Sequence, residues 1–301
     1  MRRATWVLVA VVVTSVAACS LTTSFDGLST GGPDAAPDKG DASGTLEGST
    51  DGPNGTDGGS GTGTDGTAPG DGGGDYRSVV LADSPLAYYR LDDQGTTAKD
   101  EVGAHDGTYK GSVTHGAAGA IAGDPNHAAS FDGTTGYVDV GDALPFLGTS
   151  PFTIEAWTSP VSGGSDPMCM ASKSFASGGL NGSITEGWAF YLDNGTNAIN
   201  VARYTGGVAD GAQGGAAPLA EFAHLVATYD GATMTVWLNG VSMGSTGSMR
   251  QLVDHTKPLT IGASRGGIYC FFRGALDEVA LYGAALPADR IRAHFHAGIG
   301  K

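Results

Sequence analysis

Positive charge is scarce in this 301-residue chain, where 16 lysines and arginines stand against 31 aspartates and glutamates for a net charge of −15. Binding to nucleic acid needs the opposite sign, because phosphates must be neutralised, so no nucleic-acid partner is expected. Long apolar runs are missing as well. The stretch from Trp6 to Ala18 falls short of the roughly 20 residues that a membrane-spanning helix needs. Sustained helical periodicity is hard to find, which excludes a helix bundle, and strands do not alternate with helices as a parallel sheet requires. No His-Glu-x-x-His pair is present, and His294 and His296, two apart in a predicted helix, diverge. Zinc is not expected.

What is present begins with an address. Met1-Arg2-Arg3 precedes the short apolar stretch, and Val16-Ala17-Ala18-Cys19 closes it. Two positive charges, an apolar core and small residues before a cysteine predict a bacterial lipoprotein signal peptide over residues 1–18. Cys19 would become the acylated first residue of the mature chain, a lipid anchor to the membrane. An ordinary secretory signal with an incidental cysteine is the alternative. Ser20 stands where an aspartate would resemble a signal for inner-membrane retention, so the expected location is the outer membrane or cell surface.

Residues 19–75 are rich in Gly, Asp and Thr, with ten acidic residues against Lys39 alone and no aromatic except Phe25. Such a segment cannot bury enough apolar surface to offset its ordering entropy. It is expected to be a disordered acidic tether with a root-mean-square reach of about 40 Å. Residues 76–301 remain as one domain. With Cys19 set aside, Cys169 and Cys270 are either a disulfide formed in an oxidising compartment or two buried thiols.

Within the domain, short alternating runs are punctuated by turns. Phe152, Ile154 and Ala156 share one face of the clearest strand and Trp157 takes the other, so both sides of the sheet are expected to be covered there. Trp188, Phe190 and Leu192 alternate likewise. Asn239-Gly240 after Met234, Val236 and Leu238 supplies the two positive-φ positions of a type I′ hairpin. The Gly/Ala-rich segment 206–217 reads as a mobile surface loop. Pro287 suits a first helical turn, and Ile291 and Phe295 follow on one face. About a dozen short strands predict an all-β, two-sheet antiparallel jelly-roll sandwich. A short C-terminal helix ends it.

Leu81-Ala82-Asp83-Ser84-Pro85, Tyr88-Tyr89-Arg90-Leu91, Ser130-Phe131-Asp132-Gly133 and Phe152-Thr153-Ile154-Glu155-Ala156-Trp157 resemble the LamG-like jelly-roll domain of the concanavalin A-like lectin/glucanase superfamily. His224 to Gly231, Trp237-Leu238-Asn239-Gly240 and Leu276 to Tyr282 continue the resemblance in order. Phe222 stands where the family usually has Trp. Members commonly serve as carbohydrate-binding or adhesion modules. The resemblance also implies a structural calcium ion in some members, which by position would use Asp132, the carbonyl of Gly133 and Asp277. The alternative is that Asp132 caps its own turn and Asp277 accepts hydrogen bonds from backbone.

Laminarinase-type relatives carry Glu-x-Asp-x-(x)-Glu on one strand, and no glutamate here is followed two residues later by aspartate. Adjacent strand residues point to opposite faces, so Asp277 and Glu278 are not expected to act as a pair. No catalytic residue is assigned. Aromatic rings stack on sugars, which makes Tyr191, Tyr204 and Trp237 the candidate ligand-binding residues, Tyr204 above all. The expected function is non-catalytic recognition of carbohydrate or extracellular matrix material. A glycoside hydrolase with an unrecognised site and an adhesion protein that binds another envelope protein are the other readings.

Overall fold

Alternating side chains on adjacent turn-linked strands bury one face of each sheet, and two such faces close on one another. The computed structural model describes residues 75–301, apart from 164–166, 178–182 and 194. The signal segment 1–18, Cys19 and the tether up to residue 74 lie outside the described residues.

Two eight-stranded antiparallel sheets carry the domain. Sheet A runs β14 (Val241–Gly247), β13 (Thr233–Leu238), β12 (Ala223–Tyr229), β7 (Phe152–Pro160), β16 (Arg273–Tyr282), β5 (His127–Asp132) and β4 (Val113–Ala118). The short β1 (Ala87–Tyr89) also pairs with β16. Sheet B runs β11 (Val208–Ala216), β10 (Ala198–Thr205), β9 (Ile184–Leu192), β8 (Met168–Ala176), β15 (Leu259–Ile261), β6 (Tyr137–Gly141), β3 (Gly107–Lys110) and β2 (Thr97–Ala98). Phe152, Ile154 and Ala156 meet Met170, Trp188, Phe190, Ile199 and Val201 in the core between the sheets.

The outer face of sheet A is covered, as the placement of Trp157 predicts. Helix α1 (Tyr76–Ala82), capped by the Asp75 carboxylate on the Ser78 N–H, and helix α2 (Ala288–Gly298) both pack there. Tyr76, Val80 and Ile291 join Trp157, Val226, Ala280 and Tyr282 in a second apolar cluster.

Asn239 and Gly240 take φ of 51° and 78° between β13 and β14, the hairpin turn their types predict. A second turn of this kind overturns the reading of residues 206–217 as a loop. Gly206 and Gly207, at φ 59° and 79°, reverse the chain, and β11 pairs with β10 along its whole length. A strand is held by its backbone, so lack of bulk does not argue against one. Small residues are needed here because the sheet edges meet: a Cβ on Gly214 would lie 2.3 Å from the Met243 carbonyl oxygen of β14.

Candidate functional site

Three side-chain clusters carry the chemistry of the domain: one faces a recess on the outer face of sheet B, and a second, through Arg90 and Asp124, borders a larger recess of about 620 Å³ beside α1 and the C-terminal residues. Trp188, Phe190 and Leu192 point into the core, so Ala189 and Tyr191 of β9 point outward. Tyr204 of β10 lies on the same face as Tyr191, four residues along in the β9–β10 register, and each phenol influences the other's pKa. Desolvation raises both phenol pKa values, so both stay protonated at neutral pH.

Cys169 of β8 is bonded to Cys270 with Cα atoms 5.3 Å apart, which settles the cysteine question in favour of the disulfide. That bond pins the loop after β15, which brings Arg265 and Tyr269 to the same place, the Arg265 guanidinium 4.1 Å from the Tyr269 ring centre. Together these residues line a recess of about 300 Å³. Tyr191, Tyr204 and Tyr269 are half-buried in its wall, each offering ring surface.

The sequence reading placed Tyr191 and Tyr204 in one candidate set, and the structure brings them together. It does not bring Trp237 to them. Trp237 belongs to sheet A, packs toward the α1 and α2 cluster and donates through Nε1 to Thr228 Oγ1 at 3.2 Å. Arg265 and Tyr269 escaped that reading because they follow a short strand in a loop with no periodicity, and only the cysteine at 270 signalled that the loop is tied down.

The second cluster lies at the end of sheet A. Asp132 is opposite Arg273 in the β5–β16 register, so Asp277, four residues further along β16, is roughly 13 Å away at strand rise. The Asp132 carboxylate is occupied by its own turn, accepting from the N–H groups of Thr134, Thr135 and Gly136. Those bonds hold its pKa well below the usual carboxylate range despite some desolvation. Asp132, Gly133 and Asp277 therefore do not fit one calcium ion. Among the described residues no group of three or more His, Cys, Asp or Glu is arranged to hold a metal. Chelator is expected to leave the melting temperature unchanged; a fall on adding EGTA that calcium reverses would contradict this.

Asp277 instead accepts from Ala120 N–H at 2.7 Å and Asn126 Nδ2 at 3.1 Å. The same Nδ2 reaches Glu278 Oε1 at 2.9 Å, so the two carboxylates turn to one side. Strict alternation predicts opposite faces, and a β-bulge is the reason it fails. Residues 277 to 280 of β16 face only 157 to 155 of β7, and Glu278 takes φ 52°. One extra residue re-aims its side chain. Tyr88 Oη and Arg90 Nε also bind Glu278, and Arg90 continues to Asp124 at 2.7 Å. Burial, opposed by the hydrogen bonds from Ala120 and Asn126, pushes Asp277 up to about 7. Burial and then the neighbouring Asp277 push Glu278 well up.

The third cluster is fully buried under α2. Glu155 of β7 accepts from His294 Nδ1 at 2.9 Å, His224 Nε2 at 3.2 Å and the Tyr282 hydroxyl. His294 Nε2 reaches Asp83 at 2.7 Å. With a carboxylate on each ring nitrogen, His294 carries both protons. Its pKa stands at about 9 because Glu155 and Asp83 outweigh its desolvation. None of these groups lines the recess.

No Asp or Glu is among the described residues that line the recess, so those residues supply no acid and nucleophile pair of the kind glycoside hydrolysis uses. Gly262-Ala263-Ser264-Arg265-Gly266 has the spacing of a nucleophile elbow, but it follows β15 in a loop, and Ser264 Oγ donates to the Tyr269 carbonyl rather than to a histidine.

Two antiparallel sheets with this order define a jelly-roll sandwich. The chain belongs to the Concanavalin A-like lectin/glucanases superfamily, whose family model matches residues 132–292. No curated protein sequence matches it. Among solved structures it is similar to domain 4 of AbnA, a GH43 extracellular arabinanase from Geobacillus stearothermophilus, in complex with arabinotriose. That similarity has a TM-score of 0.52 and 16% identity, covering 70% of this chain and 97% of that one. It is also similar to Trypanosoma rangeli sialidase in complex with sialic acid, at TM-score 0.50 and 16% identity over 69% of this chain and 32% of that chain. The botulinum neurotoxin serotype G binding domain gives TM-score 0.50 at 10% identity, over 70% and 50%. The chain spans about a third of the sialidase and half of the toxin domain. At these identities the likeness is one of fold, a fold shared by glycosidases and binding modules.

Proposed function

We propose that this chain is a non-catalytic carbohydrate-recognition module, exported and held at the cell surface by a lipid on Cys19, which binds sugar in the recess of Tyr191, Tyr204 and Tyr269. The observation that carries the reading is the recess itself, whose described lining combines aromatic ring surface, phenol hydroxyls and a guanidinium. Sugar rings present apolar C–H faces and hydroxyl edges, and amphipathic tyrosines satisfy both. A similarly folded domain is known in complex with arabinotriose, which supports a sugar on this architecture without indicating which.

The test is binding of the purified chain to a broad glycan panel. Tyr204→Ala is expected to weaken the strongest interaction about threefold to tenfold, the value of one aromatic contact. Trp237→Ala, on the other sheet, is expected to leave it unchanged. Equal losses in both variants, or unchanged binding by Tyr204→Ala, would count against the recess.

A further inference from the structure

We propose that α1 is a proton-dependent clasp: a protonated His294 fastens it to sheet A, and loss of that proton releases it while the sandwich beneath stays folded.

The first ground is how little else holds α1. It has seven residues, fewer than a helix needs to stand alone in water, and only Tyr76 and Val80 are buried. It also precedes the span 132–292 that the family model matches. Its side-chain links to the other described elements are few. Arg77 reaches Glu101 at 2.7 Å, Arg290 Nε reaches Asp83 at 2.9 Å and Arg290 Nη2 donates to the Val79 carbonyl at 3.4 Å. His294 Nε2 reaches Asp83 at 2.7 Å. Guanidinium groups keep their charge far above pH 10, so among these links only the one through His294 changes between neutral and alkaline pH.

The second ground is the geometry of that link. The imidazole lies between two carboxylates, Glu155 Oε2 on Nδ1 at 2.9 Å and Asp83 Oδ2 on Nε2 at 2.7 Å. Only the doubly protonated ring donates to both, because a neutral ring has one N–H and one lone pair. Glu155 and His294 are completely buried, whereas the Asp83 side chain is 16% exposed and has Arg290 as a second partner. A carboxylate left without a donor costs most where no water reaches it, so the remaining proton stays with Glu155. The bare Nε2 then faces the Asp83 carboxylate, lone pair against lone pair. Asp83 is also the C-cap of α1, where a negative charge opposes the helix dipole. His294 and Arg290 offset that, and deprotonation removes one of the two.

The other groups around His294 do not supply the change. His224 of β12 and Tyr282 of β16 bond to Glu155 rather than to Asp83, and Tyr76 of α1 meets the His294 ring edge on. Burial raises both phenols, so neither ionises in this range, and His224 is held low, chiefly by burial, and is already neutral. Asp277 and Glu278 bond to Ala120, Asn126, Tyr88 and Arg90, none of them in α1. Desolvation lowers the pKa of His294, but Glu155 and Asp83 outweigh it and hold it at about 9. The clasp is therefore closed at neutral pH and opens on the alkaline side.

The experiment is limited trypsin digestion of the purified chain at 25 °C from pH 7 to pH 9.5, following by intact mass the cut after Arg77 inside α1. Cleavage there requires α1 to open locally, and the rate on a free peptide spanning Asp71 to Ala82 corrects for the enzyme's own pH dependence. The corrected rate is expected to rise about tenfold across the interval, the effect of one pK unit of coupling. The near-ultraviolet circular dichroism of the core should stay unchanged. Asp83→Asn should abolish the rise, because a carboxamide donates to a neutral ring as readily as it accepts from a charged one. His294→Gln should be cut faster already at pH 7 with no further rise, and its melting curve reports whether the fold is kept. A flat corrected rate in the wild type, an equal rise in Asp83→Asn, or a rise that coincides with loss of the core signal would overturn the clasp.

Discussion

His294→Ala is expected to lower the melting temperature by roughly 10 °C, the consequence of breaking a buried ion pair at a cost of about 3 to 5 kcal/mol. His294 is completely buried between Glu155 and Asp83, and it joins β7, α1 and α2 at one point. Alanine leaves Glu155 in the same low-dielectric place with only His224 and Tyr282 as partners.

The pH dependence follows with a definite sign. The pKa of His294 is raised in the fold, so its contribution is complete below the unfolded value of 6.5 and is lost as pH rises to about 9. A shift of that size corresponds to about 3 kcal/mol. Glu278, also raised, acts in the same direction, because the fold holds a proton that the unfolded chain has released. His224 is lowered, chiefly by burial, so its contribution is lost as pH falls below 6.5 and does not touch the alkaline limb. The wild type should therefore lose stability steadily from pH 6.5 to 9. His294→Gln should start lower and decline less across that interval. A parallel decline in the two proteins would show that His294 is not the group titrating.

That network marks the limit of what the sequence discloses. Strands built on period-two alternation, such as 152–157 and 188–192, and the Asn239-Gly240 hairpin are local, and local chemistry is legible without a fold. Glu155 and His294 are 139 residues apart. Glu155 reads as a polar position on a strand and His294 as one of two divergent histidines, and nothing in either neighbourhood says that they meet. The same holds for Asp277 and Glu278, where one bulge residue reverses a face that alternation assigns. The Gly/Ala segment that becomes β11 misleads for a different reason. Side-chain patterns report packing, and β11 exists through backbone pairing and close approach to β14. At the recess, Tyr191 and Tyr204 were legible as aromatics in adjacent strands. Arg265 was not, because its position depends on three left-handed residues in a row and on backbone hydrogen bonds to β8, about 90 residues earlier.

The disulfide itself separates stability from recognition. Replacing both Cys169 and Cys270 by serine is expected to cost about 4 kcal/mol, since the bond spans 101 residues and its loss frees the unfolded chain. For a domain of this size that is a fall of roughly 10 °C in melting temperature. Binding at 25 °C should change little. The Arg265 loop keeps other attachments: Cys169 N–H still donates to the Cys270 carbonyl, Gly262 N–H to Met170 and Phe272 N–H to Gly262. Cys169 and Cys270 are 1% and 2% exposed, so thiol reagents should reduce the native protein only at the rate at which it opens. Intact mass should lie about two hydrogens below the reduced value until then, two protons and two electrons being removed when the S–S bond forms. A double variant that melts like the wild type would remove the stabilising role. One that keeps its fold but no longer binds would show that the covalent bond, rather than the backbone around it, holds Arg265 in place.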